Sequence, residues 1–244
     1  YLKESVFLLL LGNLLLGASH IAMLPIWEGF DETSHFSYLQ LVADNRKLPL
    51  DRKDPISSDV ERYHNYAPIP DALSSKLKPK DRLTYQSFFL KPDKFLSRSQ
   101  EFIHSTHNHP RKYLPGHQYS WESQHPPLYY ILLSPVYLMT NTLSWSKQIF
   151  FLRITSYFLA WLGLVLGALE CLDMARSQNT IEKVRLWNWA AIGCGLWPVF
   201  FPGWFSDTAR LGNDSVCALL IALTWIICIR MMHRGISVKF FLLM

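Results

Sequence analysis

Residues 5–26, SVFLLLLGNLLLGASHIAMLPI, carry no acidic residue and no Lys or Arg. A stretch of that length and composition matches the roughly 20 residues that an α-helix needs to cross a hydrocarbon core. Apolar runs recur at 150–169, 187–205 and 215–232, and a soluble domain would have to hide all of them in one modest core. The pattern predicts an all-α chain, a multi-pass transmembrane helical bundle, with its first span at 1–26. A long extramembrane loop follows at 27–127 and the remaining membrane helices at 128–244. The first run continues through Pro25-Ile26 to the interface-favouring Trp27 without a small-residue cleavage site, which favours a retained anchor over a signal peptide. The last residues, KFFLLM at 239–244, look like the start of another apolar segment, so the sequence reads as the N-terminal part of a longer protein.

The net charge of +5 does not point to nucleic acid. Within 27–127, 14 Lys/Arg face 13 Asp/Glu in mixed order, and the excess lies in short segments flanking the apolar runs. Those segments hold Lys3; Arg176, Lys183 and Arg185; and Arg230, Arg234 and Lys239. Placing all three groups on the cytoplasmic side satisfies the positive-inside rule if 150–169, 187–205 and 215–232 cross and 128–144 does not. The segment 128–144 is short, interrupted by Pro135 and polar at Thr140-Asn141-Thr142, as a non-spanning element would be. The loop 27–127 and the turn 206–214 then share the non-cytoplasmic face. Cys171, Cys194, Cys217 and Cys228 lie outside the loop without paired metal-site spacing, so neither a disulfide framework nor structural zinc is indicated.

Several clusters could carry chemistry. In WEGFDETSHF (27–36), Gly29 is a natural helix stop and Asp31 a candidate side-chain cap for a new helix, whose Phe36, Leu39, Val42 and Ala43 would lie against the membrane interface. His35 shares the face of Asp31, with Glu32 three residues before it. Such carboxylates serve either as solvated helix-capping acids or as a general base with a supporting imidazole. In QHPPLYY (124–130), two prolines fix the approach of His125 and the tyrosines to an apolar segment, a stop-and-anchor arrangement as readily as a site. His104, His107 and His109 suggest zinc, although their loop-like stretch lacks i,i+4 spacing. Arg153 opens an apolar helix, where a cation is costly unless it snorkels or finds a partner. The turn 206–214 brings Asp207, Arg210 and Asp214 between two apolar runs and needs no function beyond turning the chain.

The order of these motifs resembles the GT-C superfamily of membrane glycosyltransferases. An acid pair with His follows the first span, His-Pro-Pro-Leu opens the next apolar stretch, and an Arg begins the following helix. Protein O-mannosyltransferases and aminoarabinose-type lipid glycosyltransferases are the nearest likenesses, and 198–214 is similar to an outward loop of oligosaccharyltransferases. The resemblance covers about residues 20–220. It implies a polyprenyl-phosphate-linked sugar donor, an acceptor of unspecified kind and reaction on the non-cytoplasmic face of a prokaryotic plasma membrane or an ER-type membrane. It also implies Asp31 as base with Glu32 and His35 in support. Arg153, His125 and Arg210 would receive the donor phosphate, and Asp214 or Asp207 would hold a divalent metal ion. The chain departs from the pattern at Tyr129-Tyr130, where the mannosyltransferases have Gly-Lys, and at His125, where the aminoarabinose enzymes have Lys. Two other functions remain open at this point: a non-catalytic binder or transporter of lipid-linked sugars, and a metal hydrolase built on the His104–His109 cluster.

Overall fold

The computed structural model describes residues 2–27, 31–48, 54–63, 90, 93, 97, 100, 101, 103–105 and 111–234. Helix α1 is Leu2–Met23, α2 is Glu32–Asn45 and α3 is Ser58–Tyr63; strand β1 is Pro55–Ser57 and β2 is Pro115–Tyr119. A 3₁₀ turn at Trp121–Gln124 precedes α4, Leu128–Thr140. The chain continues through α5 (Trp145–Arg176), α6 (Ile181–Phe200), α7 (Gly203–Thr208) and α8 (Asp214–Arg234).

The molecule is mostly helical, and three helices are long and apolar enough to cross a membrane: Leu2–Met23, Trp145–Arg176 and Asp214–His233. These features suggest a membrane protein. The run at 187–205 falls largely in α6, whose hydropathy is held down by Glu182, Lys183, Arg185 and Asn188. Helix α4 has 13 residues, about 20 Å at 1.5 Å per residue, against a hydrocarbon core of about 30 Å. The expectation of helix alone is corrected by β1 and β2, which pair antiparallel with Pro55 opposite Tyr119 and Ser57 opposite Pro115.

The chain divides into two compact units, Tyr1–Met23 with Ile154–Met244, and Leu24–Arg153. In the first, helices pack through small residues and interhelical hydrogen bonds, as expected where apolar burial gives no preference for protein over lipid. A Cβ on Gly17 would lie 2.0 Å from Tyr157 Cζ, so the ring rests directly on the α1 backbone. The Tyr157 hydroxyl donates to the Asn13 carbonyl (2.6 Å), Asn13 Nδ2 to the Gly195 carbonyl (2.6 Å), and Trp161 Nε1 to the Leu10 carbonyl (2.9 Å). Gly163 lets α5 approach α8, a Cβ there meeting Leu219 Cα at 3.2 Å and Ala222 Cβ at 3.3 Å. Near the far ends of these two helices, Arg230 grips the Glu170 carboxylate with Nε and Nη2.

The second unit is built around α2. Ten consecutive or near-consecutive residues from Glu32 to Val42 are buried, including Ser34, Ser37 and Gln40. This corrects the expectation of an interfacial helix with one apolar side: α2 is enclosed by α4, β1 and the 3₁₀ turn. Two of its polar residues find partners on distant segments. Ser37 Oγ accepts the Ser57 backbone N–H (2.7 Å), and Gln40 Nε2 reaches the Tyr137 hydroxyl (3.4 Å). Tyr129, Tyr130, Leu133 and Tyr137 give α4 a buried stripe with helical spacing.

Candidate functional site

Glu28, Gly29 and Phe30, and with them the expected glycine stop, lie outside the described residues. On either side of them the backbone is unusual. Trp27 has φ 65° and Asp31 φ 55°, both in the left-handed region. For Asp this is tolerated, but a bulky aromatic residue there is a true outlier that persists only when its surroundings impose it. Trp27 is buried against Phe36 and Trp145, with ring centroids at 4.9 and 5.4 Å. Its backbone N–H donates to Glu32 Oε2 at 3.0 Å.

Glu32 is fully buried and is the anchor of this turn. Arg153 donates to both its carboxylate oxygens, Nε to Oε1 at 2.7 Å and Nη2 to Oε2 at 2.6 Å. The same guanidinium donates from Nη1 to the Leu24 carbonyl (2.6 Å) and from Nη2 to the Pro25 carbonyl (2.8 Å). A bidentate pair with its remaining hydrogen bonds filled is the arrangement in which buried charges are tolerated. Glu32 and Arg153 thus hold the turn between them, and Arg153 spends its donors on protein acceptors rather than facing a ligand.

Asp31 differs in every respect. It is exposed and makes no side-chain cap hydrogen bond, so the expected helix cap is absent. Its backbone carbonyl accepts the His35 N–H at 3.0 Å, the first hydrogen bond of the helix.

His35 is buried one turn further on. Its Nδ1 lies 2.8 Å from the Tyr130 hydroxyl and 3.5 Å from Glu122 Oε2. The same Glu122 oxygen is 2.6 Å from His125 Nδ1. One buried carboxylate therefore lies between two imidazoles, close to His125, which is about one-third exposed, and farther from His35. A carboxylate on Nδ1 fixes the orientation of the ring and presents its other nitrogen outward. Tyr130 stacks on Tyr38 with centroids 3.7 Å apart, and the Tyr38 hydroxyl donates to the His125 carbonyl at 3.0 Å. Burial, aided by the charge of Asp54, pushes the Tyr38 hydroxyl up to about 12, which keeps it a neutral donor. Sequence reasoning missed Glu122, because its position three residues before His125 says nothing of His35, which only the fold brings to it.

The other expected groups fall in the first unit or outside the described residues. Arg210 Nη2 donates to Asp214 Oδ2 at 2.9 Å, so both are partnered within their own turn. Asp207 and Asp214 line one cavity of about 650 Å³ with Trp197, Trp204 and Trp225. Among the described residues no three His, Cys, Asp or Glu side chains gather as a metal site. His104 Nδ1 is 3.3 Å from Ser146 Oγ, whereas His107 and His109 lie outside the described residues. Comparison with family models, with curated proteins and with solved structures finds no match for this chain.

Proposed function

We propose that the chain is a multi-pass membrane glycosyltransferase that transfers a sugar from a polyprenyl-phosphate-linked donor to an acceptor on the non-cytoplasmic face. The observation that carries this is the contrast between neighbouring acids. Glu32 is buried and spent on Arg153, while Asp31 is exposed on a turn held in an uncommon backbone conformation. Backbone strain maintained beside an acid that makes no helix-cap hydrogen bond is a common mark of a working site. In the reaction, Asp31 accepts the proton of an acceptor hydroxyl. The hydroxyl oxygen bonds to the anomeric carbon as the bond to the phosphate oxygen breaks, and lipid phosphate departs with that electron pair. Of the three cations that the motif order offers, His125 is the exposed one, positioned by Glu122 to meet the leaving phosphate.

The test is Asp31→Asn in membranes supplied with a polyprenyl-phosphate sugar. Transfer is expected to fall by about 10²-fold or more, as for loss of a general base, with expression and membrane insertion unchanged. Full transfer by the variant would overturn the assignment. Normal donor binding with no turnover even in the unaltered chain would favour the binder or transporter.

A further inference from the structure

The first unit contains a second feature at the ends of α1 and α5. Two cavities adjoin there, one of about 940 Å³ and one of about 450 Å³, and Lys3, Leu172 and Arg176 line both. The larger is an apolar groove along α1, α5 and α8, walled by Phe7, Leu11, Trp161, Leu166, Leu169 and Leu223. The smaller is more polar, with Glu4 and Asn188 beside the shared cations. Lys3 and Arg176 are exposed and, among the described residues, neither forms a salt bridge. This contrasts with Arg230 at the floor of the groove, which Glu170 holds. Over the two cavities together Lys3, Arg176 and Arg230 face Glu4, Glu170 and Asp173, with Arg230 held by Glu170.

An apolar channel that ends at two exposed cations, neither in a salt bridge among the described residues, matches an amphiphile with a negative charge at its head. We propose that this groove binds an anionic glycerophospholipid, its phosphodiester between Lys3 and Arg176 and an acyl chain along Phe7 and Leu11. The site belongs to the bilayer rather than to the sugar chemistry, and basic residues beside membrane spans are favoured against anionic lipid. The exposure of Phe7 (62%) and Leu169 (54%) on the groove walls fits contact with hydrocarbon.

The full chain in neutral detergent is titrated with micelles of phosphatidylglycerol, micelles of phosphatidylcholine, and inorganic phosphate, and the unfolding temperature is followed. Phosphatidylglycerol is expected to raise it, at concentrations at least about tenfold below any effect of phosphatidylcholine. Inorganic phosphate is expected to have no effect. Lys3→Gln with Arg176→Gln should abolish the phosphatidylglycerol shift, while Lys3→Arg with Arg176→Lys should keep it. Both positions are exposed, so each pair should unfold as the unaltered chain does in phosphatidylcholine. Equal shifts from both lipids, a shift from inorganic phosphate, or a phosphatidylglycerol shift that survives the Gln pair would each overturn the proposal.

Discussion

Glu32 and Arg153, 121 residues apart in sequence, are joined by two buried hydrogen bonds of 2.7 and 2.6 Å. Their pairing defines the turn that carries Asp31. Because both groups are out of water, the contribution of the pair shows when one partner is removed alone.

Arg153→Met leaves a buried carboxylate without its counter-charge and strips donors from the Leu24 and Pro25 carbonyls. Unfolding in mild detergent should show a loss of about 3–5 kcal/mol. Adding Glu32→Gln should recover part of that loss, since the neutral amide oxygen can still accept the Trp27 N–H. A double variant as unstable as the sum of the singles would show that the two side chains act independently.

Glu122→Gln tests the carboxylate between His35 and His125. It keeps the shape and removes the charge that orients both rings, so transfer should fall on the order of a hundredfold. The pH profile of transfer should change in the Gln variant, and Glu122→Asp should restore part of the rate. Loss of stability with an unchanged pH profile would assign Glu122 to packing alone.

Asp44 gives a pH-dependent prediction. Its carboxylate accepts the Tyr113 N–H at 2.6 Å and the Tyr137 hydroxyl at 3.2 Å, yet half-burial raises its pKa above the usual 3.8. Raised in the folded state, this group favours folding below the ordinary carboxylate range and loses that contribution as it ionises. Asp44→Asn removes the ionisation while keeping an oxygen acceptor. The variant should therefore gain unfolding temperature relative to the parent at pH 7, with the gain shrinking toward pH 4. A gain that grows on acidification would reverse the sign and reject the account.

The membrane-length helices were legible because each is a local property of consecutive residues. Lys, Arg, Asp and Glu are absent from 5–26 and sparse in the later runs, and the helices at Leu2–Met23, Trp145–Arg176 and Asp214–His233 follow them closely. The burial of α2 was not legible, because the partners of Ser37 Oγ and Gln40 Nε2, Ser57 and Tyr137, come from elsewhere in the chain. The acid pair Asp31-Glu32 was visible as a motif, but its division of labour depends on which carboxylate Arg153 reaches. Glu122 lacks a distinctive pattern around it and acquires its place only when the 3₁₀ turn sets it beside two histidines from different elements.

The left-handed backbone at Trp27 bears on how such a site could be moved or copied. No short peptide spanning Pro25 to His35 would hold a tryptophan in that conformation unaided. Trp27 keeps that conformation with Phe36 and Trp145 packed on its ring and with Glu32, itself held by Arg153, accepting its N–H. Grafting the ten-residue motif onto another helix would therefore transfer the letters without the geometry. The smallest portable unit would have to include the aromatic cage and the opening turns of α5.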